Sequence, residues 1–186
     1  MPENLYLRRH FDKQKIVAVK TIRHIMDMNM ETLAVFPNGG SVKVYNVIDR
    51  STADYARILN CALFFAKQGK QVVLTPKVDV PYKNCAYDII YGSLKGTQYY
   101  GKCPDLCVNR VWYEHEGYTH SNPKTNFSNM CRRGFRQSDK IIIEECGLTD
   151  GYMLRSLEGQ IKSGVKIGEV WVHTSKEVRL LFKTES

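Results

Sequence analysis

The sequence lacks the features that mark several large protein classes. It has no apolar run of about 18 residues and no apolar signal segment at its charged N-terminus, so we expect a cytoplasmic protein without a membrane partner. No complete phosphate-binding loop, Gly-x-x-x-x-Gly-Lys-Ser/Thr or Gly-x-Gly-x-x-Gly, occurs, which argues against NTPases and dinucleotide enzymes. A Gly-x-Ser-x-Gly elbow is also missing. With 13 Gly and 6 Pro residues, collagen-like and low-complexity classes are excluded.

Acidic residues are in the minority. The 186 residues include 27 Lys and Arg against 19 Asp and Glu, which gives a formal net charge of +8. This excess favours an anionic partner, either nucleic acid or an acidic membrane surface. Hydrophobic residues make up 43% of the chain, enough for one globular core. We expect the six cysteines to stay reduced, and the spacing of Cys103 and Cys107 is not that of a zinc site.

The order of periodic segments predicts an α/β fold with a mixed central sheet flanked by helices. Residues 1–50 are interpreted as an N-terminal helix and hairpin extension, and residues 51–186 as the main domain, the two forming one compact unit. Ser51 and Asp54 are expected to begin the first helix of that domain. Further strands are predicted at 71–75, 86–91, 105–108, 111–116, 140–144, 169–173 and 178–182, and further helices at 126–136 and 152–162.

A group of acidic residues brackets the dipeptide Asn109-Arg110. If this dipeptide forms a two-residue hairpin turn, Asp105 lies opposite Glu114, and Glu116 shares their face. Like charges opposed across a ladder are destabilising, and a divalent cation such as Mg²⁺ or Mn²⁺ would remove the repulsion. The alternative is a solvated strand face, because Arg110 is unfavourable at positive φ and a shift of one residue would move Asp105 to the other side.

Short motifs along residues 52–182 resemble those of a known nuclease superfamily. They are a helix with Ala62 that ends near Gly69, a short strand that ends at Pro76, Pro104-Asp105, Glu114-His115-Glu116, a helix at 126–136, and Gln137-Ser138-Asp139 before an apolar strand. This order is similar to the restriction-endonuclease-like, or PD-(D/E)XK, nucleases. Within that superfamily it most resembles the C-terminal tRNA-nuclease toxin domains of contact-dependent growth inhibition proteins and their relatives on mobile elements.

The resemblance implies a metal-dependent nuclease acting on DNA or on tRNA or other RNA, with an inhibitory immunity protein as a partner. It places Mg²⁺ or Mn²⁺ on Asp105 and Glu114. By position, Asp54 would supply a further metal ligand from the first helix of the core. The competing interpretation of Asp54 is a residue that only caps this helix.

The resemblance also implies the remaining catalytic residues. The family lysine is replaced here by Glu116, which leaves two candidates for the general base, Glu116 itself and Lys140. Gln137 would orient the attacking water or contact phosphate, and a buried amide bonded to the backbone is the equal alternative.

A basic stretch follows the acidic residues. Lys124, Arg132, Arg133 and Arg136 are expected to bind nucleic-acid phosphates, and Arg132 and Arg136 lie four residues apart on one helical face. The alternative is an ordinary solvated helix face.

Two other functions are compatible with the sequence. The first is a catalytically silent nucleic-acid-binding protein on the same fold. The second is a metal-independent RNase that uses His120, Tyr118 and Arg133. A Tyr- and Lys-rich segment that includes Tyr87, Tyr91, Tyr99 and Tyr100 suits either base stacking or packing onto the sheet.

Overall fold

A computed structural model describes residues 29–78, 87–117 and 121–185. The helix expected within residues 1–28 lies outside this part of the chain, as do Tyr118 and His120. The described residues form a mixed α/β fold, which confirms the predicted fold class. No helix in these three ranges is long and apolar enough to cross a bilayer.

Eight strands form one sheet in which the spatial order follows the chain order. Three neighbouring pairs are parallel, β2 with β3, β5 with β6 and β6 with β7, and the other pairs are antiparallel. The expected N-terminal hairpin is present as β1 and β2, and it extends the same sheet. The strands are β1 Met30–Val35, β2 Ser41–Tyr45, β3 Gln71–Leu74, β4 Leu106–Val108, β5 Val111–Glu116, β6 Lys140–Glu144, β7 Glu169–His173 and β8 Val178–Lys183.

Helices supply the crossovers that parallel strands require. The first connects β2 to β3, the third connects β5 to β6, and the fourth connects β6 to β7. These helices are α1 Ala53–Lys67, α3 Pro123–Gly134 and α4 Asp150–Lys162, and a short α2, Asp88–Tyr91, lies between β3 and β4.

The two faces of the sheet are covered by different helices. On one face, Ala62 and Phe65 of α1 pack in one cluster with residues such as Ile142. On the other face, Phe127 of α3 and Leu157 of α4 cluster with Ile141 and its neighbours. Because side chains alternate along a strand, β5 and β6 present one set of residues to α1 and the other set to α3 and α4.

The observed helices and strands differ from the sequence prediction at three places. The N-cap of α1 is Thr52, whose hydroxyl accepts from Tyr55 N at 3.1 Å, so the prediction of Ser51 was wrong by one residue. Helix α4 begins at Asp150 after the N-cap Thr149, two residues before the predicted start at 152. The strand predicted at 86–91 is wrong, because residues 88–91 form α2, and Tyr87, Ile90 and Tyr91 pack in a small, largely aromatic cluster.

The aromatic cluster distinguishes between the two roles predicted for the tyrosines, base stacking and packing onto the sheet. Tyr87, Tyr91 and Tyr99 are buried, and their packing includes a ring contact between Tyr91 and Trp112 at 5.1 Å. Tyr100 remains 46% exposed. Packing onto the sheet therefore accounts for three of these tyrosines.

Candidate active site

The β4–β5 hairpin sets the register that brings the acidic residues together. Asn109 and Arg110 both have positive φ, 47° and 67°, as a two-residue turn of the I′ type requires. Asn109 Oδ1 accepts from Gln71 N at 2.8 Å, and this contact ties the turn to β3. Val108 pairs with Val111, as predicted, and continuing the ladder by counting places Asp105 opposite Glu114.

Helix α3 approaches this hairpin closely because it carries a glycine at the contact. A Cβ on Gly134 would lie 2.8 Å from Ile141 Cγ2 and 3.3 Å from Glu116 Cγ, which leaves no room for a larger residue. The close approach places Arg133 beside Glu116, with Arg133 Nε 3.1 Å from Glu116 Oε2. The helix begins at Asn122, whose side chain accepts from Lys124 N and Thr125 N.

Three carboxylates are buried at this point, and we name them the acid cluster: Asp105, Glu114 and Glu116, which are 7%, 4% and 3% exposed. Asp105 Oδ2 accepts from the backbone N–H of His115 at 3.2 Å. Within the part of the chain that the structure describes, Glu114 Oε2 and Glu116 Oε2 receive no hydrogen bond. The nearby Arg133 therefore compensates the charge of Glu116 without a well-directed bond. Buried carboxylates are ordinarily satisfied, so this arrangement costs stability.

The pKa values of the three carboxyl groups in the acid cluster are all raised, which reflects the same loss of stability. Burial raises the pKa of Asp105, and the charge of Lys77 opposes that rise. Burial, followed by repulsion from Asp105, raises the pKa of Glu114 well above its usual value. Burial also raises the pKa of Glu116 to about 7, against the lowering effect of Arg133. All three groups therefore resist carrying negative charge in the absence of a further cation.

Asp105 and Glu114 line a cavity of about 410 Å³, which we name the acid cavity. Two cationic side chains, Lys77 and Arg133, share its wall. Lys77 Nζ lies 3.8 Å from Asp105 Oδ1, and this carboxylate raises the pKa of Lys77. The cavity thus combines a buried acidic wall with exposed cations, an arrangement suited to a phosphate group and a metal ion together.

Asp54 also lines the acid cavity, from the first turn of α1. It does not act as the N-cap, and its side chain is 74% exposed and paired with Arg57. Arg57 Nε in turn lies 3.4 Å from Glu144 Oε1 on β6. The structure therefore brings Asp54 to the same cavity as Asp105 and Glu114, in an ion pair.

Two other predicted catalytic residues lie elsewhere. Lys140 Nζ is 3.3 Å from both oxygens of Asp139, and these two residues line a second cavity, of about 640 Å³, with Trp112. Gln137 is half-buried in the turn after α3, where its backbone N–H donates to Gly134 O at 2.8 Å. The geometry thus brings Glu116 to the acid cluster and places Lys140 at a different site.

The basic residues of α3 and of the turn after it divide into two groups. Arg133 belongs to the acid cavity. Arg132 is exposed and donates to Asn129 Oδ1 at 2.9 Å. Arg136 is exposed in the turn after α3, because the helix ends at Gly134, so the helical face predicted for Arg132 and Arg136 is wrong. Lys124 lies over the ring of Tyr152, 5.2 Å from its centroid. An exposed basic surface therefore continues from the cavity along α3.

Sequence reasoning missed three charged residues of this region: Lys77, Arg57 and Glu144. A signal was available for Lys77, since it follows Pro76 at the end of β3 and thus leaves the sheet beside Asp105. No local pattern connects Arg57 with Glu144, because α1 and β6 meet only through the tertiary fold.

The donor set of the acid cluster fits a hard divalent cation. Carboxylate oxygens are the ligands that Mg²⁺ and Mn²⁺ prefer, and Glu114 Oε2 is a buried oxygen with no partner among the described residues. Asp105 and Glu114 face the same cavity, so one ion could contact both. Binding would also relieve the repulsion that raises the pKa of Glu114.

Comparisons with known proteins give one distant likeness. No family model and no curated protein sequence matches this chain. Among solved structures, it is similar to a chain of the "CdiA-CT/CdiI toxin and immunity complex from Burkholderia pseudomallei". The two are 18% identical, with a TM-score of 0.44, over 83% of this chain and 96% of the other. The likeness is too distant to assign a site or an activity.

Proposed function

We propose that this chain is a divalent-metal-dependent nuclease that hydrolyses phosphodiester bonds of RNA or DNA. The observation that carries the proposal is the acid cluster, in which three buried carboxylates have raised pKa values. Two of them, Asp105 and Glu114, line a cavity whose wall also includes Lys77 and Arg133. Such an arrangement costs the fold stability, and a bound cation together with a phosphate substrate would give it a use.

In this proposal Asp105 and Glu114 would hold Mg²⁺ or Mn²⁺, with Asp54 as an outer ligand. The ion supplies charge neutralisation and Lewis-acid activation of the phosphate when bound. Lys77 and Arg133, whose side chains are 74% and 52% exposed, would contact the phosphate oxygens. These cations would also steer the substrate toward the acid cavity.

Glu116 would take the proton of the attacking water. Its pKa of about 7 suits a general base near neutral pH, because both protonation states are then accessible. Lys140, the other candidate base, is paired with Asp139 at the second cavity, which favours Glu116. Gln137 remains a prediction for a contact with water or phosphate.

The exposed basic surface of α3 would bind the flanking phosphates. Lys124, Arg132 and Arg136 extend the positive charge beyond the cavity. The toxin setting, a cytoplasmic site of action and an inhibitory immunity protein are parts of the same proposal, taken from the sequence resemblance. The similar solved structure is itself described as a toxin and immunity complex.

The test is cleavage of tRNA, other RNA and DNA by the purified chain with and without Mn²⁺. We expect Asp105→Asn and Glu114→Gln to lower the cleavage rate roughly a thousandfold, because metal stabilisation of the transition state contributes several kcal/mol. Glu169→Gln is the matched control, since Glu169 is a half-buried glutamate of the same sheet that bonds to Tyr113 and Trp171.

A binding measurement separates the proposal from its rivals. Calorimetric titration should show that the wild type binds Mn²⁺ and that Asp105→Asn binds it at least tenfold more weakly. Nucleic-acid affinity without Mn²⁺ binding or cleavage would identify a silent binding protein. Cleavage that survives EDTA and both substitutions would identify a metal-independent RNase and contradict the proposal.

A further inference from the structure

The opposite face of β5 carries a second cluster of ligand-type side chains. Cys61 of α1, His115 of β5 and His173 of β7 converge in the core, and one ligand atom from each lies within 4.8 Å of the others. Cys61 is fully buried, and the two histidines are each 7% exposed. Three elements that are distant in sequence thus bring one thiol and two imidazoles to a single point.

The hydrogen bonds of this group leave one imidazole nitrogen without a partner among the described residues. His115 Nε2 and His173 Nδ1 are 3.1 Å apart, so the two rings share a single hydrogen bond. His173 Nε2 is buried without a partner within the described ranges of the chain. Phe64 packs its ring against His173 at a centroid distance of 5.9 Å. A buried imidazole nitrogen without a partner is unusual in a folded protein and requires an explanation.

We propose that Cys61, His115 and His173 bind one Zn²⁺ ion. Thiolate sulfur and imidazole nitrogen are the ligands that zinc prefers, with Zn–S and Zn–N distances of about 2.3 Å and 2.0–2.1 Å. With these bond lengths, tetrahedral geometry places the nitrogen and sulfur ligand atoms roughly 3.3–3.6 Å apart, within the 4.8 Å spread of this group. Three protein ligands leave the fourth position to a water molecule.

Zinc here would have a structural role that is separate from the acid cluster. The ion would join α1, β5 and β7, and β5 is the strand that carries Glu114 and Glu116 on its other face. The two sites would also differ in chemistry, because carboxylates select hard ions such as Mg²⁺, whereas a Cys-His₂ set selects softer ones. The inference therefore stands whether or not the chain is a nuclease.

Cobalt is the spectroscopic probe for this site. The chain, unfolded with a chelator and refolded with Co²⁺ in excess Mg²⁺, should bind one equivalent and show a thiolate-to-cobalt charge-transfer band. Cys61→Ser should abolish this band. Cys131→Ser is the matched control, since Cys131 is a buried thiol of α3 on the other face of the sheet, and it should keep the band.

A second readout is thermal unfolding with and without equimolar Zn²⁺. Zinc should raise the Tm of the wild type and of Asp105→Asn, and leave that of Cys61→Ser and His173→Gln unchanged, because an ion that binds only the folded state stabilises it. If Cys61→Ser does not fold, the His173→Gln spectrum decides. Absence of a charge-transfer band in the wild type, or its persistence in the folded ligand variants, would overturn the proposal and leave a core-packing role for the three residues.

Discussion

The half-buried carboxylate of Glu169 and the buried carboxylates of the acid cluster belong to the same sheet but differ in their hydrogen bonds. Glu169 on β7 is surrounded by donors: Tyr113 Oη donates at 2.6 Å, Trp171 Nε1 donates at 3.0 Å, and Lys183 Nζ lies 3.3 Å away. At the acid cluster, the backbone N–H groups of His115 and Asp105 bond to the carboxyl groups of Asp105 and Glu114, and two cations lie at the edge. The carboxylate of Glu169 is therefore fully hydrogen-bonded, whereas the more deeply buried carboxylates of the acid cluster are only partly so.

The pKa values follow this difference. Burial alone would raise the pKa of Glu169, but hydrogen bonds from Tyr113, Trp171 and Lys183 together lower it. At the acid cluster burial dominates, and the pKa values of Asp105 and Glu114 rise. Glu169 stabilises the fold as a charged group, whereas the acid cluster is maintained at the expense of stability. Such an arrangement is typical of a site that binds a ligand.

Replacing Glu by Gln is expected to change the free energy of unfolding in opposite directions at Glu169 and at Glu114. Glu169→Gln should lower the free energy of unfolding by about 2 kcal/mol, because it weakens hydrogen bonds to a charged acceptor and leaves buried donors poorly paired. Glu114→Gln should raise the unfolding free energy by a smaller amount at pH 8, because it removes a carboxylate that repels Asp105. Urea unfolding of both variants measures the difference. A loss of stability in Glu114→Gln would show that its carboxylate is well compensated.

Much of the fold follows from local sequence signals. The alternation of β5 and the dipeptide Asn109-Arg110 fix the hairpin register, although Arg110 is an unfavourable residue at φ 67°. The turn forms despite this cost because β4 and β5 are held by their ladder and by β3 on the far side. The segment at 86–91 could not be assigned in this way, because α2 depends on aromatic contacts with distant residues such as Trp112.

The residues of the candidate site also differ in whether local sequence predicts their position. Asp105, Glu114 and Glu116 were predictable together, because period-two alternation and a two-residue turn connect them within twelve residues. Lys77 and Asp54 reach the acid cavity from other elements, and their distances to the acids depend on how β3 and α1 pack. Residue spacing also gave no means to predict that Cys61 and His173 meet His115.

A pH series should separate the two carboxylate groups further. Because the folded-state pKa of Glu116 is about 7, above its usual value of 4.5, Glu116 contributes stability below pH 4.5 that is lost as pH rises through 7. Glu169 has a lowered pKa, and its contribution is lost instead as pH falls. We expect the Tm advantage of Glu116→Gln over the wild type to grow between pH 4.5 and 7.5.

The difference between variant and wild type is the quantity to measure in that series. Burial lowers the pKa values of His115 and His173, so their contribution to stability is lost as pH falls, opposite to that of Glu116. Both histidines are present in the wild type and in Glu116→Gln. Subtracting the wild-type curve removes their contribution. A constant difference across the range would mean that Glu116 titrates near its ordinary value, and would weaken its assignment as the general base.

The smallest expected effect concerns the charges outside the cavity. Arg132 is exposed on α3 and Arg136 is exposed in the turn after it, whereas Arg155 is exposed on α4. If α3 tracks nucleic-acid phosphates, Arg132→Ala and Arg136→Ala should each weaken binding several-fold at low salt and reduce the slope of log K against log[salt] by about one. Arg155→Ala should change neither quantity, although it removes the same charge. Equal losses in all three variants would mean that net charge, rather than the surface beside the acid cluster, sets the affinity.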